Sequence, residues 1–106
     1  MKKTINGKTY NTEKAKELAT WGNGVRPRDF EAYQETLYQT KDGSLFIYGV
    51  GGPESKYAKP VAGMWSGGKD ITPVSKSDAI RLVKENANRS EQESIIEEIN
   101  EQEDRK

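Results

Sequence analysis

The stretch from Gly63 to Lys69 carries the most chemistry-like pattern in this 106-residue chain. It fills the first seven positions of a phosphate-binding P-loop, in which backbone amides and a lysine hold phosphates at the start of a helix. Asp70 stands where such a loop requires Ser or Thr, and the following residues favour a strand over a helix. The pattern therefore predicts a glycine turn with a solvated lysine.

A second glycine-rich pattern spans Gly49 to Gly52 and superficially resembles a dinucleotide-binding fingerprint. It lacks the third glycine at the required spacing, and no helix is predicted after it. Glycines at the end of a strand permit a bulge or a close approach of another group to the backbone. We expect that conformational role here.

The chain contains neither His nor Cys. These are the residue types behind most general bases, thiol nucleophiles and transition-metal sites. The carboxylate pairs near the C-terminus, Glu97-Glu98 and Glu101-Glu103, lie in a charge run, and nothing flanking them promises the burial that splits two pKa values. We expect a protein that is not an enzyme, with no cofactor and no metal.

The first elements that must position any site are a hairpin and a helix. Asn6-Gly7 between two short runs is a strong hairpin signal, because both turn residues tolerate positive φ. Thr12 can then cap a helix that ends at Gly22 or Gly24. The apolar stripe of that predicted helix consists of Ala15, Leu18, Ala19 and Trp21.

The middle of the chain predicts strands. The runs 30–39 and 45–50 are rich in aromatic and β-branched residues and flank a turn in which Gly43 suits a left-handed position. Both faces of the second run carry apolar groups, so this hairpin should be central to the sheet. The segment from Gly51 to Lys69 predicts a long loop, and 70–74 a last strand, which Pro73 favours at an edge.

Two capping patterns predict the helices at the end of the chain. Ser75 begins the first helix, which runs to about Ala87, and Ser90 begins a second, acidic one. Strands grouped between helices favour an α+β fold, with helices on one face of a small antiparallel sheet. We expect a single domain over residues 1–88 and an acidic helical extension over 89–106, whose Ile95, Ile96 and Ile99 pack at least partly on the domain.

The charge is unevenly distributed although its sum is zero. Residues 1–30 carry a net charge of +4 and residues 89–106 a net charge of −4. With no apolar run long enough for a membrane span or a signal peptide, a cytoplasmic location is expected. The basic part could contact nucleic-acid phosphates, or its lysines could simply be solvated. The candidates are Lys2, Lys3, Lys8, Arg26 and Arg28.

A protein partner is the other expectation. The predicted loop presents Tyr57 and Trp65 among lysines, and large aromatic residues often anchor interfaces. The acidic end could dock in a basic groove or remain a solvated helix. The candidate partner-binding residues are Lys56, Tyr57, Lys59, Trp65, Lys69, Glu97, Glu98 and Glu101.

Residues 1 to about 88 resemble short proteins encoded by phages, plasmids and conjugative elements of Gram-positive bacteria. The resemblance lies in short elements spaced in one order, namely Thr9-Tyr10-Asn11-Thr12-Glu13 with Ala15, Trp21 with Gly24, Phe30, Glu35-Thr36-Leu37-Tyr38, Gly49 with Gly51-Gly52, Ser55, Tyr57-Ala58, and Ile71-Thr72-Pro73 before the Ala79 helix.

Similar proteins occur among or beside type II anti-CRISPR proteins. The resemblance therefore implies a mobile-element function, and inhibition of a Cas9-type nuclease or its guide-RNA complex in a bacterial host. Leu82-Val83 departs from the family pattern, which has a tryptophan-containing helix there, and residues 89–106 extend beyond it. A small nucleic-acid-binding accessory protein of a phage or conjugative element is the alternative.

Overall fold

The computed structural model describes residues 1–24, 26 and 29–104. Antiparallel strands and two C-terminal helices give the chain the α+β fold that its sequence predicts. In chain order the elements are β1 (Lys2–Ile5), β2 (Lys8–Asn11), β3 (Lys16–Gly22), β4 (Tyr33–Gln39), β5 (Leu45–Gly51), β6 (Lys59–Val61), β7 (Met64–Ser66), β8 (Gly68–Val74), α1 (Lys76–Asn86) and α2 (Arg89–Asp104).

The opening hairpin is confirmed. β1 and β2 pair antiparallel, and the turn between them has positive φ at both Asn6 (52°) and Gly7 (81°). Those angles match the right-handed twist of the flanking strands. The hairpin packs on the main sheet through Tyr10, whose ring centroid lies 5.5 Å from that of Phe46 in an edge-to-face contact.

The predicted helix after Thr12 is wrong, because these residues form β3 on the edge of the main sheet. β3 pairs with β4, with a register shift between Glu17 and Ala19. A bulge of this kind inserts an extra residue and resets the alternation of the side chains. Leu18, Ala19 and Trp21 can thus all contribute to the core. Their spacing along the sequence is the same as that of an apolar stripe on a helix.

The central hairpin is confirmed, and its two strands occupy the middle of the four-stranded sheet, whose order is β3-β4-β5-β8. β4 begins at Tyr33, three residues later than predicted. Gly43 has φ 91° in the connecting turn, as predicted. β8 lies at an edge, also as predicted from Pro73, and it begins at Gly68.

The two faces of this sheet are covered differently. Leu37 and Ile47 are paired in register and belong to the core that α1 and α2 complete. The opposite face carries Phe46, which stacks on Tyr38 at 5.2 Å and is covered by Tyr10. The helices therefore lie on one side of the sheet and the opening hairpin on the other.

The expectation of a long loop from Gly51 to Lys69 is wrong in its second half. β6 and β7 form a two-stranded hairpin there, separate from the main sheet. Its turn residues Ala62 (φ 51°) and Gly63 (φ 80°) both have positive φ. Asn or Asp usually precedes Gly in such a turn. Because Ala62 stands in that position, this turn lacks the Asn-Gly signal that predicted the first hairpin.

The capping prediction for α1 is confirmed. The Ser75 side chain accepts a hydrogen bond from the Asp78 N–H at 3.1 Å, and the helix ends at Asn86. For α2 the predicted cap is wrong by two residues, because the Asn88 carbonyl accepts the first hydrogen bonds, from the Glu91 and Gln92 N–H groups. Ser90 lies inside the first turn.

The packing expected of α2 is confirmed. Ile95 and Ile99 are 8 % and 1 % exposed, and they share the core with Ala79 and Val83 of α1. Ile96 is partly buried against the same core. Neither described helix is long and apolar enough to cross a membrane.

One buried polar group lacks a partner within the described residues. Gln39 is 4 % exposed, and its Nε2 donates no hydrogen bond. Leaving a buried donor unsatisfied costs about 1–3 kcal/mol. We expect Gln39→Met to raise the melting temperature by about 5 °C, since roughly 1 kcal/mol shifts a domain of this size by that amount.

The matched control for this prediction is Gln34→Met, on an exposed position of the same strand. It should change the free energy of unfolding by less than about 0.5 kcal/mol. Thermal melts followed by circular dichroism compare the two variants. A lower melting temperature for Gln39→Met than for the parent protein would contradict the assignment of an unsatisfied donor.

Candidate binding surface around Glu35 and the β6–β7 hairpin

Glu35 is a carboxylate inside the sheet. It occupies an inward position on β4, two residues before the core residue Leu37, and it is 8 % exposed. In register it lies between Trp21 on β3 and Gly49 on β5. The helices share a core with Leu37 and Ile47, and Lys56 and Tyr57 contact Glu35 itself.

Three donors surround the Glu35 carboxylate. The Trp21 indole N–H donates to Oε1 at 2.9 Å, and the Tyr57 hydroxyl donates to Oε2. The Lys56 ammonium lies 2.9 Å from the same Oε2. A buried carboxylate is tolerated when its lone pairs are satisfied and its charge is balanced, and both conditions hold here.

The Lys56 ammonium also contacts aromatic rings. It lies 4.7 Å from the centroid of the Tyr33 ring and 5.8 Å from that of Tyr57. The two rings meet edge to face at 6.3 Å. Cation–π attraction therefore adds to the ion pair in holding Lys56 against the sheet.

Gly49 makes room for this arrangement. A Cβ built on Gly49 would lie 1.8 Å from Cζ of Tyr57, a distance that no side chain allows. The expected close approach at the Gly49–Gly52 segment is therefore confirmed at Gly49, where the Tyr57 ring lies directly on the backbone. No helix follows the segment, since it ends β5 and leads into turns.

The titration of the cluster follows from these contacts. Burial by itself would raise the pKa of Glu35, but hydrogen bonds from Tyr57, Lys56 and Trp21 outweigh burial and hold that pKa below its ordinary value. Burial, together with the bond to Glu35, raises the pKa of Tyr57. Glu35 is thus ionised and fully engaged near neutral pH, which suits an anchor better than a general base.

The Glu35 cluster, which consists of Glu35, Trp21, Lys56 and Tyr57, holds the segment that leads into the β6–β7 hairpin. All six strand residues of that hairpin are exposed. Val61, Met64 and Trp65 are 58 %, 74 % and 67 % exposed, which is unusual for large apolar side chains close together. In register Val61 pairs with Met64 and Pro60 with Trp65, so Trp65 lies on the opposite face from the other two. The hairpin therefore presents apolar side chains to solvent on both faces.

Lysines border this apolar surface. Lys59 donates from its ammonium to the Lys69 carbonyl at 2.9 Å, which ties β6 to the start of β8. Lys56 and Trp65 both line a groove of about 470 Å³, together with Pro53 and Glu54. The surface thus combines exposed apolar groups with a basic rim.

The P-loop-like pattern from Gly63 to Lys69 forms no loop before a helix. Gly63 is a turn residue of the hairpin, Met64 begins β7, and Lys69 lies exposed on β8. The prediction of a glycine turn with an exposed lysine is confirmed. Without a following helix N-terminus, the segment has no phosphate cradle of the P-loop type.

The predicted partner-binding residues fall into two groups. Lys56, Tyr57, Lys59, Trp65 and Lys69 gather at the Glu35 end of the sheet, although Tyr57 is half-buried and serves as an anchor. The acidic residues lie elsewhere. Glu98 forms an ion pair with Lys16 of β3, and Lys16 lies opposite Gln39 of β4 in the sheet. Gln39 lies about 13 Å from Glu35 along β4, at ~3.3 Å per residue.

The other two acidic candidates, Glu97 and Glu101, are exposed on α2. The predicted nucleic-acid residues are also separated. Lys3 pairs with Asp70 at 2.6 Å and Lys8 with Asp42 at 2.5 Å, while Lys2 and Arg26 are exposed. Arg28 lies outside the described residues.

Several residues of this surface were missed from sequence. Glu35 follows the strand alternation of Leu37, so its inward position was a usable signal of a buried charge. The partners of Glu35 carried no such signal, because the sequence predicted Trp21 on a helix and Tyr57 in a loop. The pairing of Val61 with Met64 depends on a turn that carries no Asn-Gly signal.

Within the described part of the chain, no three acidic side chains converge as metal ligands would. No protein-family model, curated protein or solved structure matches the chain.

Proposed function

We propose that this chain is a non-enzymatic binding protein that presents the β6–β7 hairpin to a protein partner. The observation that carries the proposal is the exposure of Val61, Met64 and Trp65 together on one short hairpin. Exposed apolar clusters rimmed by polar residues mark interaction sites on soluble domains. Trp is also among the residue types that contribute most to binding energy.

The chemistry of the surface describes the partner. An apolar pocket on the partner would receive Trp65, whose side chain lies on the face of the hairpin opposite Met64. An acidic or phosphate-bearing rim would face Lys59 and Lys69, since Lys56 is paired with Glu35. Such charge complementarity speeds association and selects the partner, while the apolar anchors supply most of the affinity. A nuclease loaded with guide RNA offers protein pockets and phosphates side by side.

The Glu35 cluster supports this function by fixing the hairpin in place. An isolated two-stranded hairpin is at best marginally stable in water. Here the segment before it is clamped by Tyr57 and Lys56 to Glu35, inside the main sheet. A contact surface that is ordered before binding loses less conformational entropy when the partner arrives.

The likeness of residues 1–88 to small mobile-element proteins decides which partner to test first. It favours an inhibitor of a Cas9-type nuclease, acting on the protein or on its guide-RNA complex. We propose this role as the specific form of the binding function, in the cytoplasm of a bacterial host.

The experiment is a pull-down with Cas9 and guide RNA, followed by a DNA-cleavage assay. We expect the parent protein to co-elute with the complex and to slow cleavage. Trp65→Ala should weaken the association about 30-fold, because a central aromatic anchor contributes roughly 2 kcal/mol or more. Met64→Ala should weaken it less.

Phe30→Ala is the matched control, since Phe30 is 65 % exposed but lies outside the hairpin. It should leave co-elution unchanged. Unaltered cleavage with no co-elution of the parent protein would remove the Cas9 form of the proposal. Equal binding by the parent and Trp65→Ala would contradict the assignment of the hairpin as the contact surface.

A further inference from the structure

Two adjoining grooves lie at the end of the sheet away from Glu35. One, of about 500 Å³, runs between the opening hairpin and the β4–β5 turn. The other, of about 610 Å³, runs between the β2–β3 connection and the same turn. They share the lining residues Lys14, Thr40 and Lys41, so the two open grooves meet at these residues, and together they are termed the channel.

Lysines dominate this channel. Lys8 is paired with Asp42, and Lys16 with Glu98. Three further lysines line the channel, namely Lys2, Lys14 and Lys41. None of these three has a carboxylate within ion-pair distance among the described residues. The lining acids are Asp42, already paired, and Glu13, so the channel keeps a positive charge.

The walls of the channel are tied together. Lys8 of β2 reaches Asp42 at 2.5 Å and also contacts Ser44, which joins the opening hairpin to the β4–β5 turn. Within that turn the Thr40 N–H donates to the Ser44 carbonyl at 2.9 Å. The Lys14 N–H donates to the Asn11 carbonyl at 3.1 Å, and Asn11 pairs with Lys2. These contacts link the backbone positions that carry Lys2, Lys14 and Lys41.

We propose that this channel binds the phosphate backbone of duplex nucleic acid without reading its sequence. Lysine ammonium groups on a polar floor suit phosphates, which provide most of the affinity in sequence-independent binding. The described lining has no aromatic ring on which a base could stack, which disfavours single strands. An acidic polypeptide would lack apolar anchoring, since Ala15 is the one apolar side chain among those residues.

This site differs from the set predicted from sequence and from the hairpin surface. It retains Lys2 and Lys8, it excludes Lys3, which is paired with Asp70, and it adds Lys14 and Lys41. It also lies at the end of the sheet opposite Glu35. Duplex binding can therefore be measured without any protein partner, and its outcome is independent of the proposed hairpin function.

The experiment measures binding of a fluorescein-labelled duplex DNA of about 20 base pairs by fluorescence anisotropy, at several salt concentrations. Three phosphate contacts predict a slope of about −2.7 in a plot of log affinity against log salt. The affinity should then fall about 40-fold between 50 and 200 mM salt.

The triple variant Lys2→Gln, Lys14→Gln, Lys41→Gln should bind at least about tenfold more weakly at 50 mM salt, with a slope near zero. The matched control removes the same charge on the two helices, through Arg81→Gln, Lys84→Gln and Arg89→Gln, and should keep the parent slope. These three residues are exposed and lie outside both proposed surfaces.

Three results would overturn the proposal. The first is no binding by the parent protein at 50 mM salt. The second is an equal loss in both triple variants, which would attribute binding to net charge alone. The third is displacement of the duplex by poly-L-glutamate at an equal concentration of charges, which would assign the channel to acidic polypeptides.

Discussion

Truncation after Asn88 is expected to unfold this protein or to lower its melting temperature steeply. The deletion removes Ile95 and Ile99, which are nearly fully buried in the core that α2 shares with α1 and the sheet. Burying an aliphatic side chain of this size contributes about 1.5–3 kcal/mol. Two such losses, about 3–6 kcal/mol together, reach the lower end of the stability of an ordinary domain, about 5–15 kcal/mol.

Point variants separate packing from other effects of α2. Ile99→Ala should cost about 2–5 kcal/mol, because it leaves a cavity at a position that is 1 % exposed. Glu97→Ala, on the exposed side of the same helix, should stay within about 0.5 kcal/mol. Chemical denaturation followed by circular dichroism measures both. Equal melting temperatures for the full and truncated proteins would show that α2 does not stabilise the fold.

The importance of α2 was partly visible in the sequence. A narrow stripe of three isoleucines in an otherwise acidic helix indicates a packed face, since a solvated helix has no need of them. The partners of that stripe were less visible. Ala79 and Val83 follow the helical spacing of α1, but the sheet residues beneath them depend on strand order, which local patterns do not specify.

β3 shows where pattern reasoning fails in physical terms. A seven-residue strand with a bulge can display the same apolar spacing as two turns of helix. Pairing with β4 decided the outcome, and pairing is a tertiary interaction that propensities do not record. The same limit applies to Glu35, whose inward position was predictable but whose three donors come from β3 and from a segment expected to be loop.

Glu35→Ala is expected to cost about 3–5 kcal/mol of folding free energy. The substitution leaves the Trp21 N–H and the Tyr57 hydroxyl without an acceptor and the Lys56 ammonium without its counter-ion. Each donor left without an acceptor costs about 1–3 kcal/mol, whereas the Lys56 side chain is 53 % exposed, so its ammonium can be hydrated. Glu31→Gln, an exposed change two residues before β4, should be nearly neutral.

The pH dependence of stability tests whether the charge of Glu35 is responsible. Its pKa in the folded protein lies below the ordinary value of 4.5. A depressed pKa contributes stability that is fully present above the unfolded value and is lost as the pH falls through the folded value. The parent protein should therefore lose this contribution below about pH 4.5, whereas Glu35→Gln has none to lose.

The informative quantity is the difference in unfolding free energy between the parent and Glu35→Gln, measured by denaturant titration from pH 7 to pH 3. Asp42 and Asp70 also have lowered pKa values, through hydrogen bonds from Lys8 and Lys3, so both proteins should weaken in acid. Because that loss is common to them, it cancels in the difference. The difference should shrink as Glu35 becomes protonated, since the neutral acid resembles the amide. If the difference in unfolding free energy stays constant from pH 7 to pH 3, the ionised carboxylate of Glu35 is not responsible. Shape and packing at position 35 would then hold the segment that leads into the β6–β7 hairpin.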